Sequence, residues 1–143
     1  MQRAGQRSCN PQPLTCMWPA NRLTHMSIRK AIWGDNFEAI EQNLREVDPD
    51  LYAYIRDFAY EEVLARPGLD LKTRELLAIT SLIALGAPKE IATHLEGALR
   101  NGATEQEVRE TIIQSALFVG FPNALGAMKT FHALLRKRQT TGE

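Results

Sequence analysis

Cysteine is scarce in this chain: 143 residues contain two, Cys9 and Cys16. Both lie in a ragged N-terminal stretch, so no disulfide framework can hold the core, and a reducing, cytoplasmic setting is expected. Charge of one sign is missing as well. Lys plus Arg and Asp plus Glu both number 17, which leaves no uniform positive field to draw nucleic acid. A local basic pocket for a small anion is compatible with that balance. The longest mainly apolar run, Leu76 to Ala87, is broken by Thr80 and Ser81 and falls well short of the ~20 residues that cross a bilayer. No apolar stretch precedes Asn10, so Arg3 and Arg7 do not open a secretory signal. Strand-like alternation and glycine-rich phosphate loops are absent. So are H-x-x-x-H and C-x-x-C spacings, and His132 has no partner at zinc-ligand distance along the chain, so no metal site is expected.

What is present is a globular composition, 44% apolar and 24% charged, at the length of one domain. Residues 1–25, with Pro11, Pro13 and Pro19, carry no helical or strand period and are expected to be a flexible leader. Met26 is a candidate translation start, which would leave that leader untranslated. Residues 26–143 are expected to form a single domain.

From Asp35 onward the punctuation is helical. Asp35 is a cap for a helix to about Val47, with Phe37, Ile40 and Leu44 on one face. Asp48-Pro49 opens a second helix, whose core-facing stripe is read as Leu51, Tyr54, Ile55, Phe58, Ala59, Val63 and Leu64. A third helix runs from Asp70 to about Leu85. It is apolar on nearly every side, hence expected to be the central buried helix, and Gly86 ends it. Pro88 starts a fourth, closed by Asn101-Gly102. Thr104 and Glu107 form a capping box for a fifth, to about Val119. After the break at Gly120-Phe121-Pro122 a sixth runs to about Arg138, its basic last turn of Arg136, Lys137 and Arg138 matching the negative dipole end. Short connections favour antiparallel neighbours, so the expected fold is an all-α, six-helix antiparallel bundle.

The block from Leu69 to Leu135 resembles the carboxymuconolactone decarboxylase family, within the alkylhydroperoxidase-D-like superfamily. The residues that carry the resemblance are T-R-E-L-L-A-I (Thr73 to Ile79), A-L-G (Ala84 to Gly86) and His94. They continue with A-L-x-N-G-A-T-x-x-E-V-R-E (Ala98 to Glu110) and G-F-P-N-A-L-x-A (Gly120 to Ala127). The resemblance implies one of two activities. One branch decarboxylates 4-carboxymuconolactone in protocatechuate breakdown by the β-ketoadipate route. The other is a thiol peroxidase, of peroxiredoxin-type activity, built on a C-x-x-C pair, a Glu and a His. Glu75 and His94 match that Glu and His, but the cysteine positions hold Ala87 and Glu90. Neither can supply a thiolate or resolve one, so peroxidase chemistry is disfavoured. The resemblance also implies trimers or hexamers with pockets between subunits, and a hexamer is expected. Tyr52, Tyr54 and Tyr60 are read as surface suited to a partner.

Decarboxylation leaves charge spread into a conjugated carbonyl, which a catalyst must stabilise before protonating carbon. Histidine titrates near working pH and suits that step. His94 is therefore the expected proton donor, with Glu75 orienting it, and no cofactor is required. A plainer alternative keeps His94 as a hydrogen-bonded core residue and Glu75 as an acid at the positive end of its helix. Arg74 is a candidate for holding the carboxylate of a small anionic lactone, against a surface ion pair. Gln114 stands where many family members have histidine, a departure that bears on the reaction. Phe121 is read mainly as a plug between helices, and secondarily as pocket lining. A non-catalytic oligomer that binds a small ligand is the third reading.

Overall fold

The computed structural model describes residues 25–141, and every regular element among them is helical. The expected leader, with Cys9 and Cys16, lies outside the described residues. The six helices read from the sequence are present, and a further one precedes them. That one, α1 (His25–Trp33), is a nine-residue segment whose Ile28 and Ile32 are buried one turn apart with Trp33 beside them. A 3-10 turn, Gly34–Asn36, leads into α2 (Phe37–Val47). Asp35 does not cap α2; it sits inside that turn, 3.7 Å from the Arg100 guanidinium, because the extra turn moves the helix start past it.

The helix α3 (Pro49–Tyr54) begins as expected: Asp48 accepts from the Leu51 N–H at 2.6 Å, and Pro49 occupies the first turn. It continues in π-helical register over Ile55–Leu64. The wider turn of that register, with bonds to the fifth residue along, breaks a face read at 3.6 residues per turn. Ile55, Ala59 and Leu64 pack inward, but Leu51, Tyr54, Phe58 and Val63 are exposed, and Tyr52 and Tyr60 are buried in their place. Of the three tyrosines read as partner-facing surface, only Tyr54 faces solvent.

The remaining helices follow their caps closely. Asp70 accepts from the Thr73 N–H at 2.7 Å to start α4 (Leu71–Leu85), and Gly86 ends it at φ 65°, ψ 40°. Next comes α5 (Pro88–Arg100), closed at Gly102 with φ 93°. Thr104 and Glu107 make a reciprocal capping box for α6 (Glu105–Val119). The backbone bond at Thr104, followed by the bond from Lys72, holds the Glu107 carboxyl down to about 2. Last is α7 (Phe121–Thr141), three residues longer than read.

The apolar side chains form two clusters. One draws on α4 to α7 and includes Ile79, Ile83, Leu95, Val108, Ile112 and Phe131. The other joins α1 to the π segment through Ile28, Ile32, Trp33 and Tyr60. At about 1.5–3 kcal/mol for each fully buried side chain of this size, these clusters are the main force holding the layers together. The central helix is α5, which packs on α4, α1, α7 and α6, and not α4 as its composition suggested. Leu77 and Leu85 of α4 are exposed in the single chain, since α4 has neighbours on only part of its circumference. Among the described residues no helix is long and apolar enough to cross a membrane.

Candidate active site

Leu71 packs on the N-terminal cluster, and Ile79 belongs to the C-terminal one. Glu75 lies midway between them on the same face of α4, one turn from each, and so sits at the seam of the two clusters. It is the fifth residue of α4, beyond the free N–H groups of the helix start. Glu75 is therefore not placed to stabilise the positive end of its helix, and the first turn contains no acid.

Only 1% of the Glu75 surface reaches solvent. A carboxylate buried to that degree needs a compensating partner, and His94 on α5 supplies it, with Nδ1 2.9 Å from Glu75 Oε2. A carboxylate only accepts, so Nδ1 carries the hydrogen of this bond. That fixes the ring orientation and leaves Nε2 as the nitrogen available to another molecule. The His94 side chain is 23% exposed, so the pair has a solvent-side member and a buried member.

The seam is enclosed by residues that the sequence did not assign to the site. Gly97 of α5 lies against the Glu75 carboxylate, and Ile32 of α1 borders the same space beside Gly97. Tyr60 is buried nearby; burial, with the Glu75 charge adding to it, raises its hydroxyl to about 12, so it stays a neutral O–H. The Asn101 amide donates to the Ala31 carbonyl at 3.1 Å and ties α1 to α5 at this point. A glycine inside a helix one turn after a histidine was the available signal, and it has meaning only once Glu75 is seen to face it.

The other predicted site residues lie elsewhere. The Arg74 guanidinium donates to the carbonyls of Leu69 (3.2 Å) and Arg66 (2.9 Å), clasping the loop before α4. Gln114 is exposed on α6, in a cleft with Thr80, Ser81 and Ala84. At 100° per residue those three are about 140–240° around α4 from Glu75. Phe121 is 78% exposed and borders an apolar trough of about 580 Å³ with Ile113, Leu125 and Met128. Within one chain the structure brings Glu75 and His94 together and leaves Gln114 and Phe121 on other faces. Ala87 and Glu90 open α5 and offer no thiol. Among the described residues no group of three His, Cys, Asp or Glu is placed to hold a metal ion.

Comparison with known proteins adds an independent line. The carboxymuconolactone decarboxylase family matches residues 49–133. A 4-carboxymuconolactone decarboxylase of Acinetobacter baylyi is 39% identical over 87 residues, 61% of this chain and 65% of that protein. A nitrosuccinic acid decarboxylase of Metarhizium robertsii is 35% identical over 106 residues, 72% of this chain and 73% of the relative. An uncharacterised 15.0 kDa protein of Paracoccus denitrificans is 35% identical over 81 residues, 55% of this chain and 60% of that one. The match thus spans less than two thirds of the Acinetobacter and Paracoccus proteins.

Proposed function

The chain belongs to the carboxymuconolactone decarboxylase family, and from that membership we propose that it is a carboxy-lyase for a small carboxylated lactone or a similarly activated acid. The observation that carries this reading is the buried Glu75 carboxylate bonded to His94 Nδ1 at 2.9 Å. Of the two decarboxylases it resembles, one is named for 4-carboxymuconolactone and the other for nitrosuccinic acid. Both compounds carry a carboxylate on a saturated carbon attached to an electron sink, the C=C–C=O system of an unsaturated lactone or a nitro group. Loss of CO2 breaks that carbon–carbon bond and sends its electron pair onto the sink's oxygen. With both ring nitrogens protonated, His94 donates its Nε2–H to that oxygen or delivers that proton to carbon, and Glu75 supports the imidazolium through Nδ1. Carboxylate plus one proton gives product plus CO2, so the balance closes without an oxidant or reductant.

The substrate's carboxylate calls for a cation. Arg74, whose guanidinium is partly spent on the loop carbonyls, is the proposed one, with Gln114 and Phe121 lining the pocket from a neighbouring subunit. Leu77, Ile113, Leu117, Phe118, Phe121 and Leu125 are exposed on α4, α6 and α7, and large apolar side chains of this kind are the sort that a subunit interface covers. A trimer or hexamer that covers it is expected. Light scattering at micromolar concentration is expected to give a multiple of the 16.1 kDa chain mass, and a monomer mass would refute the assembly.

Ultraviolet-monitored turnover of 4-carboxymuconolactone, with 2-nitrosuccinate in parallel, tests the activity. Turnover of one of them is expected from wild type and equally from a Cys9→Ser/Cys16→Ser variant. Folded wild-type protein that turns over neither compound would sink the carboxy-lyase reading for these substrates. Turnover lost with the cysteines would point instead to thiol chemistry.

A further inference from the structure

Gly97 lies inside α5, where its backbone is helical and needs no special freedom. Glycine there weakens a helix relative to alanine through its larger loss of backbone entropy, so its presence calls for another explanation. A Cβ built on Gly97 would fall far inside van der Waals contact of Glu75 Oε2, 3.1 Å from Glu75 Cδ and 3.1 Å from Ile32 Cγ2. Gly126, also helix-internal, has nothing within 4 Å of its would-be Cβ. Of the two glycines internal to an α-helix among the described residues, Gly97 alone has this close approach, and it is directed at the oxygen that bonds His94.

We propose that Gly97 is a positioning residue for the decarboxylation: its missing side chain is the slot in which the Glu75 carboxylate lies, and the slot holds that carboxylate against His94 Nδ1. This rests on the reading of Glu75 and His94 given above. The slot has three walls, the α5 backbone at Gly97, Ile32 of α1 and the body of α4. Asn101, one turn beyond Gly97, pins α1 at its Ala31 carbonyl and so keeps Ile32 in place. A methyl group at 97 meets the far end of a flexible side chain first. The cheapest relief is rotation of the carboxylate away from His94, ahead of any displacement of the helix. Gly97→Ala thus acts on the pair and leaves the fold standing.

The readout is the imidazole Nδ1–H resonance of His94 in the full chain, protected from exchange by its bond to Glu75 in wild type. In Gly97→Ala it is expected to vanish, as in Glu75→Ala, while Gly126→Ala retains it. Turnover is expected to fall by about 10²-fold in kcat, the scale of an ångström-sized misplacement, with KM little moved. The double variant Gly97→Ala/Glu75→Ala is expected to be no worse than Glu75→Ala, because both remove one interaction. Retention of the resonance in Gly97→Ala, with kcat within twofold of wild type, would overturn the proposal. If wild type decarboxylates nothing, the resonance still decides the slot, so failure of the function and failure of the slot are separate results. Should Gly97→Ala not fold, pairing it with Glu75→Asp draws the carboxylate back by one methylene. Recovery of the fold then supports the slot, and an unfolded pair refutes it.

Discussion

His94→Asn is expected to lower kcat by about 10²–10⁴-fold, the range of a positioned general acid, while the thermal midpoint stays near wild type. Asparagine places an amide N–H close to where the imidazole Nδ1–H lies, so the bond to Glu75 survives and only the Nε2 side of the ring is lost. His94→Ala is expected to lose the same turnover and, in addition, about 1–3 kcal/mol of stability, because the Glu75 oxygen is left buried without its donor. Turnover is read by ultraviolet absorbance and stability by urea unfolding. The two variants separate chemistry from packing. Equal kcat in His94→Asn and wild type would remove His94 from the reaction even if the protein is a decarboxylase.

Glu41→Ala is expected to cost about 3–5 kcal/mol, the scale for removing one partner of a buried ion pair. Arg29 of α1 is 6% exposed and is paired with Glu41 of α2. The Tyr52 hydroxyl of α3 accepts from Arg29 Nη1 and from Arg45 Nη2, both at 3.1 Å, and donates to Glu41 Oε1 at 3.0 Å. Burial pushes the Tyr52 hydroxyl up, but the bonds and charges of Arg45 and Arg29 outweigh it and hold the group below its ordinary value. Arg29 Nε is buried with no hydrogen-bond partner, so its guanidinium depends on the short pair with Glu41 and on Glu61 at 3.9 Å. Truncating Glu41 leaves that charge among Phe37, Tyr52 and α1 with the longer Glu61 contact in place of its short pair. The exposed neighbour pair Arg109–Glu110 serves as the contrast, since Glu110→Ala is expected to change stability by less than about 1 kcal/mol. Urea unfolding decides between them. The pair replacement Arg29→Met/Glu41→Leu is expected to regain most of the loss, because it removes both the charge and its partner. An unaltered urea midpoint in Glu41→Ala would show that Glu61 or water satisfies Arg29 and that Glu41 does not anchor α1.

These two clusters mark where reading the chain worked and where it stopped. Caps, glycines and prolines act over four or five residues, so Asp48, Asp70, Gly86, Pro88, Gly102 and the Thr104–Glu107 box were legible as helix boundaries. The period of apolar residues was legible for α2, but it misled across Ile55–Leu64, because a π register changes the period without changing the composition. The short α1 stops at Gly34, φ 55°, but its apolar residues are meaningful only against α5 and the π segment.

The candidate site divides along the same line. Glu75 and His94 stood out through the family resemblance, while their bond spans nineteen residues and two helices and depends on how α4 packs on α5. Gly97, Ile32 and Tyr60 carry no chemistry of their own that a motif would record. They matter because three elements close on one carboxylate. Local backbone preferences thus settle an all-helical chain and most of its boundaries, since each is decided by a few adjacent residues. The tertiary structure alone decides which helix is central, which tyrosines are buried and which acid meets the histidine, because burial and pairing are properties of faces brought together from distant parts of the chain.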